Sequence, residues 1–236
     1  MESRDKIIAI VPARGGSKRI PKKNLKKIGG KSLVSIALEN ALNSRYINKI
    51  VLSSDDDEIL SEAQPYPRVD PIMRPKKIAT DNSLAIDYVK HVLQYLSEND
   101  PFFYSIIVII QPSSPFTLPV DIDKTLDVLI DSNADSAVTV MRLDHALHPY
   151  KMKVIKSGIL HPYLEKENGL MAEHELPKIY VRNGSVYATR RYVVDSGKII
   201  GSKCLGHIMP RARSLDINET IDYSFAKFID RLEPDN

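Results

Sequence analysis

Between positions 11 and 25 the chain reads VPARGGSKRIPKKNL, with Arg14, Lys18, Arg19, Lys22 and Lys23 set around the pair Gly15 and Gly16. Adjacent glycines let backbone N–H groups come close to an anion, and guanidinium and ammonium groups offset phosphate charge. Eight basic residues and no acidic one fall between positions 14 and 31, yet the whole 236-residue chain carries a net charge of only +3. A dedicated nucleic-acid binder shows a larger excess, or a basic stripe interleaved with aromatics. The excess here is local. Lysines alone would suit a solvated turn, but the glycine pair between Arg14 and Lys18, directly after the apolar run of residues 7–11, favours a phosphate cradle.

Other groups could take part in phosphate chemistry. Asp216 lies in the stretch Ser214, Leu215, Asp216, Ile217, Asn218, just ahead of a helical pattern. A carboxylate facing a phosphate loop suits Mg²⁺, which takes one or two carboxylates plus phosphate oxygens. A helix-capping aspartate is an equal reading, and Asn218 could be the cap instead. Gln111, Pro112, Ser113, Ser114 and Pro115 form a second polar turn. Gly29, Gly30, Lys31 and Ser32 mimic the end of a Walker A loop, but its first glycine would fall on Leu25, and Ser32 reads better as an N-cap. Asp55, Asp56 and Asp57 read as helix capping, with Asp55 as the cap; a metal site there is the lesser alternative. His145 and His148 lack further ligands at zinc-like intervals. No Gly-x-Ser-x-Gly elbow occurs, and Cys204 has no context for a nucleophile.

The elements that would position these groups alternate. Residues 6–12, 49–53, 104–110 and 135–141 read as strands, the third being the clearest buried run. Helices are expected over 33–43, over 56–63, after Thr80 or Asp81 as cap, after Pro119, and over 219–232. The expected buried stripes are Ala85, Val89, Val92, Leu93 and Leu96, then Ile122, Leu126, Leu129 and Ile130, then Ile221, Phe225, Phe228, Ile229 and Leu232. Strand–helix alternation implies an α/β, Rossmann-like, doubly wound and mostly parallel sheet in one domain. Ligands of such sheets bind beyond the carboxyl ends of the strands, where the basic loop, the Gln111 turn and the Asp216 stretch would meet. Residues 145–182 break the pattern and read as an inserted arm or subunit contact. Strand character returns over 184–189 and 203–209.

A single cysteine excludes an intrachain disulfide, so a reducing cytoplasm is the expected setting. Residues 1–6 lack the apolar core of a signal peptide, and the longest apolar run is too short to span a bilayer. Neither a membrane nor a nucleic acid is an expected partner.

The stretch IAIVPARGGSKRIPKKNL closely resembles the N-terminal signature of the acylneuraminate cytidylyltransferases. The likeness continues, in the family's order, through VLSSDDDEI, RPKKIATDNS, QPSSPF, HPYKMK, NGSVYA and SLDINETIDY. The related Kdo enzymes are less similar, since their loop ends in Gly-Lys-Pro-Leu where this chain has Lys22, Lys23, Asn24 and Leu25. The resemblance implies that a nonulosonic 2-keto sugar acid attacks the α-phosphate of CTP, giving a CMP-sugar and pyrophosphate. It implies that Arg14, Ser17, Lys18, Lys23 and Asn24 hold CTP, with Arg74 and Asp81 near the nucleotide. By the same likeness Arg14 and Lys23 act in catalysis with Asp216, which would hold Mg²⁺. Gln111, Lys151, Arg182, Asn183 and Tyr187 would face the sugar acid. Members are homodimers whose arm reaches the partner's site, which would make residues 145–182 the arm and Lys151 its contributor.

Two departures bear on this. Asn218 stands where many members have a second metal-binding aspartate. Glu173 stands at an arginine position of sialic-acid-specific members, and Arg182 is displaced by one residue, so legionaminic and pseudaminic acids are close candidates. The alternatives are a Kdo-type synthetase and a non-catalytic nucleotide- or RNA-binding module.

Overall fold

The computed structural model describes residues 6–164, 174 and 176–232; Glu173 lies outside them. The first strand, β1 (Ile7–Pro12), shows how the layers arise. Ile7, Ala9 and Val11 point into one apolar layer and Ile8 and Ile10 into the other, all at most 2% exposed. A strand buried on both faces reads as a continuous apolar run, which is how it was legible. β6 (Ile106–Ile110) behaves alike.

The remaining strands are β2 (Lys27–Ile28), β3 (Lys31–Ser32), β4 (Lys49–Ser54), β5 (Val69–Met73), β7 (Ser136–Arg142), β8 (Lys153–Lys156), β9 (Ile159–Pro162), β10 (Tyr180–Arg190) and β11 (Cys204–Ile208). Seven of the strands form one sheet in the order β11-β7-β10-β6-β1-β4-β5. Pairings of β1 with β4 and β6, β4 with β5, and β7 with β11 are parallel; β10 runs antiparallel between β6 and β7. The expected mostly parallel, doubly wound sheet is present.

Helices α1 (Leu33–Leu42), α2 (Asp57–Ser61) and α4 (Pro119–Ile130) cover one face, and α3 (Ala85–Asn99) the other. Ser32 caps α1, accepting from the Ser35 N–H. The α4 stripe is buried at Ile122, Leu126 and Leu129, whereas Ile130 is exposed at the helix end. Two capping expectations are corrected. Asp56, not Asp55, caps α2, accepting from the Glu58 and Ile59 N–H groups. Neither Thr80 nor Asp81 caps α3; Asp87 turns back to accept from the Leu84 N–H at 2.8 Å. In both cases the displaced aspartate is engaged by the basic loop instead.

Among the described residues, positions 145–182 carry two short 3₁₀ turns, His145–Leu147 and Pro149–Lys151, and the hairpin β8–β9, a two-stranded sheet of its own. Ser157 and Gly158 both take positive φ at its tip, the two-residue turn that suits strand twist. Ile155, Ile159 and Leu160 are exposed on it. The last part of this span already belongs to β10.

After α5 (Arg191–Asp195) and β11, α6 (Thr220–Leu232) closes the described chain. Its expected buried stripe is overturned. Ile221 is 70% exposed, and Phe225, Phe228 and Leu232 are each more than half exposed, while Ala226 is the buried position. Small Ala226 permits close approach, and polar ties fix the inner face. The Tyr223 hydroxyl donates to Lys27 O at 2.9 Å, and the Gly29 N–H to Asp230 at 2.9 Å.

Candidate functional site

The chain leaves β1 at the carboxyl edge of the sheet and enters the basic loop. The loop is pinned from both sides. The Gly15 N–H donates to Asp55 Oδ1 at 2.9 Å, and a Cβ at Gly15 would stand 2.5 Å from Asp56 Oδ2 and 2.8 Å from Asp56 Cβ. Glycine is needed there because the α2 cap occupies the space. Buried Asn24 donates to Arg14 O at 2.9 Å, folding the loop on itself. Lys22 takes a left-handed φ of 52° and pairs with Glu58, away from the site.

Two adjoining cavities open over this loop, of about 280 and 130 Å³. Arg14, Lys23, Asn24 and Asp81 border both. The larger is completed by Arg74, Gln111 and Tyr88, the smaller by Ser17, Lys18 and Asn218. The expected nucleotide residues therefore converge. Asp81 sits among them as a carboxylate, 2.7 Å from the Arg14 guanidinium and 2.7 Å from the Lys18 ammonium. Its hydrogen bonds to Lys18 and Arg14 hold its pKa below the usual carboxylate value.

Arg74 is 4% exposed. It donates from Nε to Ser53 Oγ at 3.1 Å and from Nη2 to Ser53 O at 2.8 Å, with its guanidinium 4.6 Å from the Tyr88 ring centre. Burial lowers its pKa, opposed by Tyr88 and Asp55. Lys23 donates to Ile217 O at 2.7 Å, tying the basic loop to the stretch that carries Asp216. Burial lowers the Lys23 pKa; Asp216 works the other way.

The Asp216 stretch is held at several points. The Ile217 N–H donates to Ser113 O at 2.8 Å, which joins it to the turn after β6. Arg213 makes a two-pronged contact to buried Asp121, at 2.8 and 3.1 Å. Burial raises the Asp121 pKa, but the Arg213 hydrogen bonds and the Leu118 N–H outweigh it, for a net lowering. Asp222, not Asn218, serves the start of α6, accepting from the Asn218 and Glu219 N–H groups.

Asp216 Oδ1 is buried and has no hydrogen-bond partner, while Oδ2 accepts from Asn218 Nδ2 at 2.8 Å. A buried carboxylate oxygen without a donor is costly unless something fills the place. A hard divalent cation fits that oxygen, with phosphate oxygens as further ligands. Among the described residues no three His, Cys, Asp or Glu side chains converge, so the protein alone offers no metal cage. Asn218 directs its amide donor at Asp216 rather than offering it a second carboxylate.

The expected sugar residues divide. Tyr187 is half-buried, with its pKa raised by burial, lowered by Arg182 and raised by Asp216, so these three lie in one electrostatic neighbourhood. Gly184, at φ +80°, lies against Asp216; a Cβ there would stand 3.5 Å from Oδ2. Asn183 is buried, and its amide donates to Ser214 Oγ at 2.9 Å and Met209 Sδ at 3.2 Å, so its donors are used inside the protein. Of the expected sugar residues only Gln111 borders a cavity; Arg182, which is exposed, Lys151, Asn183 and Tyr187 border neither, and Asp216 borders neither. Sequence reasoning missed Tyr88, which borders the larger cavity, and the loop-holding roles of Asp55 and Asp56. Tyr88 falls on the buried stripe of α3, where a polar tip on an apolar body was the available signal.

A doubly wound sheet with a cation-lined cavity after its first strand, and nearby Asp216 with one unpartnered buried oxygen, is the arrangement of a nucleotidyltransferase. Residues 8–198 match the family model described as cytidylyltransferase, and the chain belongs to that family. It is 30% identical over 226 residues to the CMP-N,N'-diacetyllegionaminic acid synthase of Legionella pneumophila, covering 94% of this chain and 95% of that one. It is 27% identical to the N-acylneuraminate cytidylyltransferase of Escherichia coli over 94% of this chain, and spans 52% of that longer protein. The fold matches a solved CMP:2-keto-3-deoxy-manno-octonic acid synthetase complexed with CTP, at TM-score 0.71 and 18% identity, covering 97% of this chain and 100% of that one. Among the described residues no helix is long and apolar enough to cross a membrane.

Proposed function

We propose that this cytidylyltransferase activates a nonulosonic, sialic-acid-like sugar acid with CTP. The anomeric hydroxyl oxygen of the acid forms a bond to the α-phosphorus and loses its proton. The bond between the α-phosphorus and the bridging oxygen breaks, and pyrophosphate leaves. One observation carries the reading: the unpartnered Asp216 oxygen lies in the stretch that Lys23 of the phosphate loop grips at Ile217.

Arg14, Lys18 and Lys23 offset charge on the triphosphate, and Arg14 and Lys23 stabilise the departing pyrophosphate. Ser17, Asn24 and Arg74 complete the nucleotide side, with Asp81 holding Arg14 and Lys18 at its edge until the triphosphate takes its place. Gln111, Tyr187 and Arg182 serve the sugar acid, with Asn183 shaping the turn beside them. Asp216 would hold Mg²⁺, which would supply charge neutralisation and polarisation at the α-phosphate. The likeness to a CMP-N,N'-diacetyllegionaminic acid synthase and an N-acylneuraminate cytidylyltransferase supports a sugar acid of the legionaminic or acylneuraminic type.

The active form is a cytoplasmic homodimer in which residues 145–182 act as the arm and Lys151 reaches the partner's site. The exposed Ile155, Ile159 and Leu160 support an apolar contact there.

The test is pyrophosphate release with each of the four common NTPs, Mg²⁺, and a panel of 2-keto sugar acids. Release is expected with CTP and a nonulosonic acid. No release with CTP and any such acid overturns the reading.

A further inference from the structure

Tyr88 is a site residue that neither the resemblance nor the comparisons assign. It lies in the second turn of α3, is 7% exposed, and borders the larger cavity between Arg74 and Gln111. Its ring is held from the Arg74 side, where the guanidinium stands 4.6 Å from the ring centre. Its hydroxyl is buried and has no hydrogen-bond partner. The Gln111 amide is near enough to favour the ionised phenol but makes no well-formed hydrogen bond with it, and burial keeps the phenol protonated. Tyr187 is a further electrostatic neighbour.

A buried hydroxyl with no partner costs stability in the empty protein and gains most from a ligand that supplies one. The same hydroxyl discriminates strongly, because a ligand lacking the matching group leaves it unpaired again. Arg74 turns its Nε and Nη2 donors to Ser53 and, being a donor-only group, offers nothing that could accept the phenol O–H. Gln111, which borders the same cavity, and Tyr187, an electrostatic neighbour, are residues that the proposed function assigns to the sugar acid.

We infer that the Tyr88 hydroxyl hydrogen-bonds a polar substituent of the sugar acid and helps select it. This rests on the reading of the site as one for CTP and a sugar acid. The ligand class is a polyhydroxylated carboxylic acid with an oxygen or amide group within reach of the cavity floor.

The experiment compares wild type with Tyr88→Phe in the KM for each substrate and in Tm. The expected result is a KM for the sugar acid raised about tenfold to a hundredfold, with the KM for CTP unchanged within twofold. The Tm is expected to stay level or rise by a few degrees, since an unpaired buried hydroxyl has been removed. An unchanged sugar KM, or a rise in the CTP KM instead, overturns the inference. So does a lowered Tm, which would reveal a partner inside the protein. Wild-type protein that releases no pyrophosphate with any acid breaks the underlying reading as well, whereas active wild type matched by Tyr88→Phe breaks this inference alone.

Discussion

The phosphate loop and the β8–β9 hairpin both look outward, but the loop's charges meet partners in the chain, whereas the hairpin's large apolar side chains are exposed among the described residues. Arg14 and Lys18 share Asp81, Lys22 pairs with Glu58, Lys23 grips Ile217 O, and Asn24 holds Arg14 O. The hairpin pairs with itself and leaves Ile155, Ile159 and Leu160 to solvent. α6 repeats the hairpin's condition with Ile221, Phe225, Phe228 and Leu232. Charge can be met provisionally by a movable carboxylate and handed over to a ligand. Apolar surface has no such stand-in; it is covered or it is not.

The largest expected effect lies where the loop side fails to satisfy itself. Asp216 Oδ1 is a buried carboxylate oxygen left without a donor. Asp216→Ala is expected to lower kcat by about 10²–10³-fold, the size of losing one dominant electrostatic contact in a transition state. The Tm should stay level or rise, because removing an unpaired buried polar atom relieves its desolvation cost. Near-normal pyrophosphate release would remove Asp216 from the chemistry.

Next comes the pinning of the loop. Gly15→Ala drives a Cβ into Asp56, at 2.5 Å from Oδ2 and 2.8 Å from Cβ. Overpacking of this kind costs about 1–3 kcal/mol. For a chain of this size that is a Tm loss of roughly 2–10 °C, with weaker CTP binding as the loop shifts. A variant as stable as wild type would show that the loop is not held by the α2 cap.

The hairpin is tested by the paired change Ile155→Lys and Ile159→Lys. Both side chains are exposed, so the sheet's own stability should move by no more than about 0.5 kcal/mol. Mass by light scattering is expected to fall from dimer to monomer. Wild type that is already monomeric at micromolar concentration would leave the arm without its partner and sink that part of the proposal.

The same comparison explains what was legible in the sequence. The apolar runs of β1 and β6 were plain because burial on both faces leaves no polar position. The basic loop was plain because its cations had no acid near them in sequence. Their acidic partners, Glu58 and Asp81, and Asp55, which holds the Gly15 N–H, are brought close only by the fold. Capping rules placed aspartates at helix starts, but the cap passed to Asp56 and Asp87 once Asp55 and Asp81 were drawn to the loop. The 3.6-residue period of α6 showed that an apolar stripe exists, and could not show which way it faces. Small Ala226 and the ties at Tyr223 and Asp230 decided that.

The smallest effect bears most directly on the contrast between the two regions. If Asp81 stands in for phosphate, Asp81→Asn frees Arg14 and Lys18 and should tighten CTP binding roughly two- to fivefold at low salt, as expected for exposed ion pairs. The gain should fade as salt screens the cations. Lys18 and Arg14 lower the Asp81 pKa, so its carboxylate stays charged below the usual range. A depressed carboxylate makes its contribution above the unfolded pKa and loses it as pH falls through the folded one. Wild type and variant should therefore differ near neutral pH and converge only in acid. Weaker CTP binding by the variant would reverse the sign. Asp81 would then be aiming Arg14 at the nucleotide rather than competing with it, and the loop, like the hairpin, would need its partner to be complete.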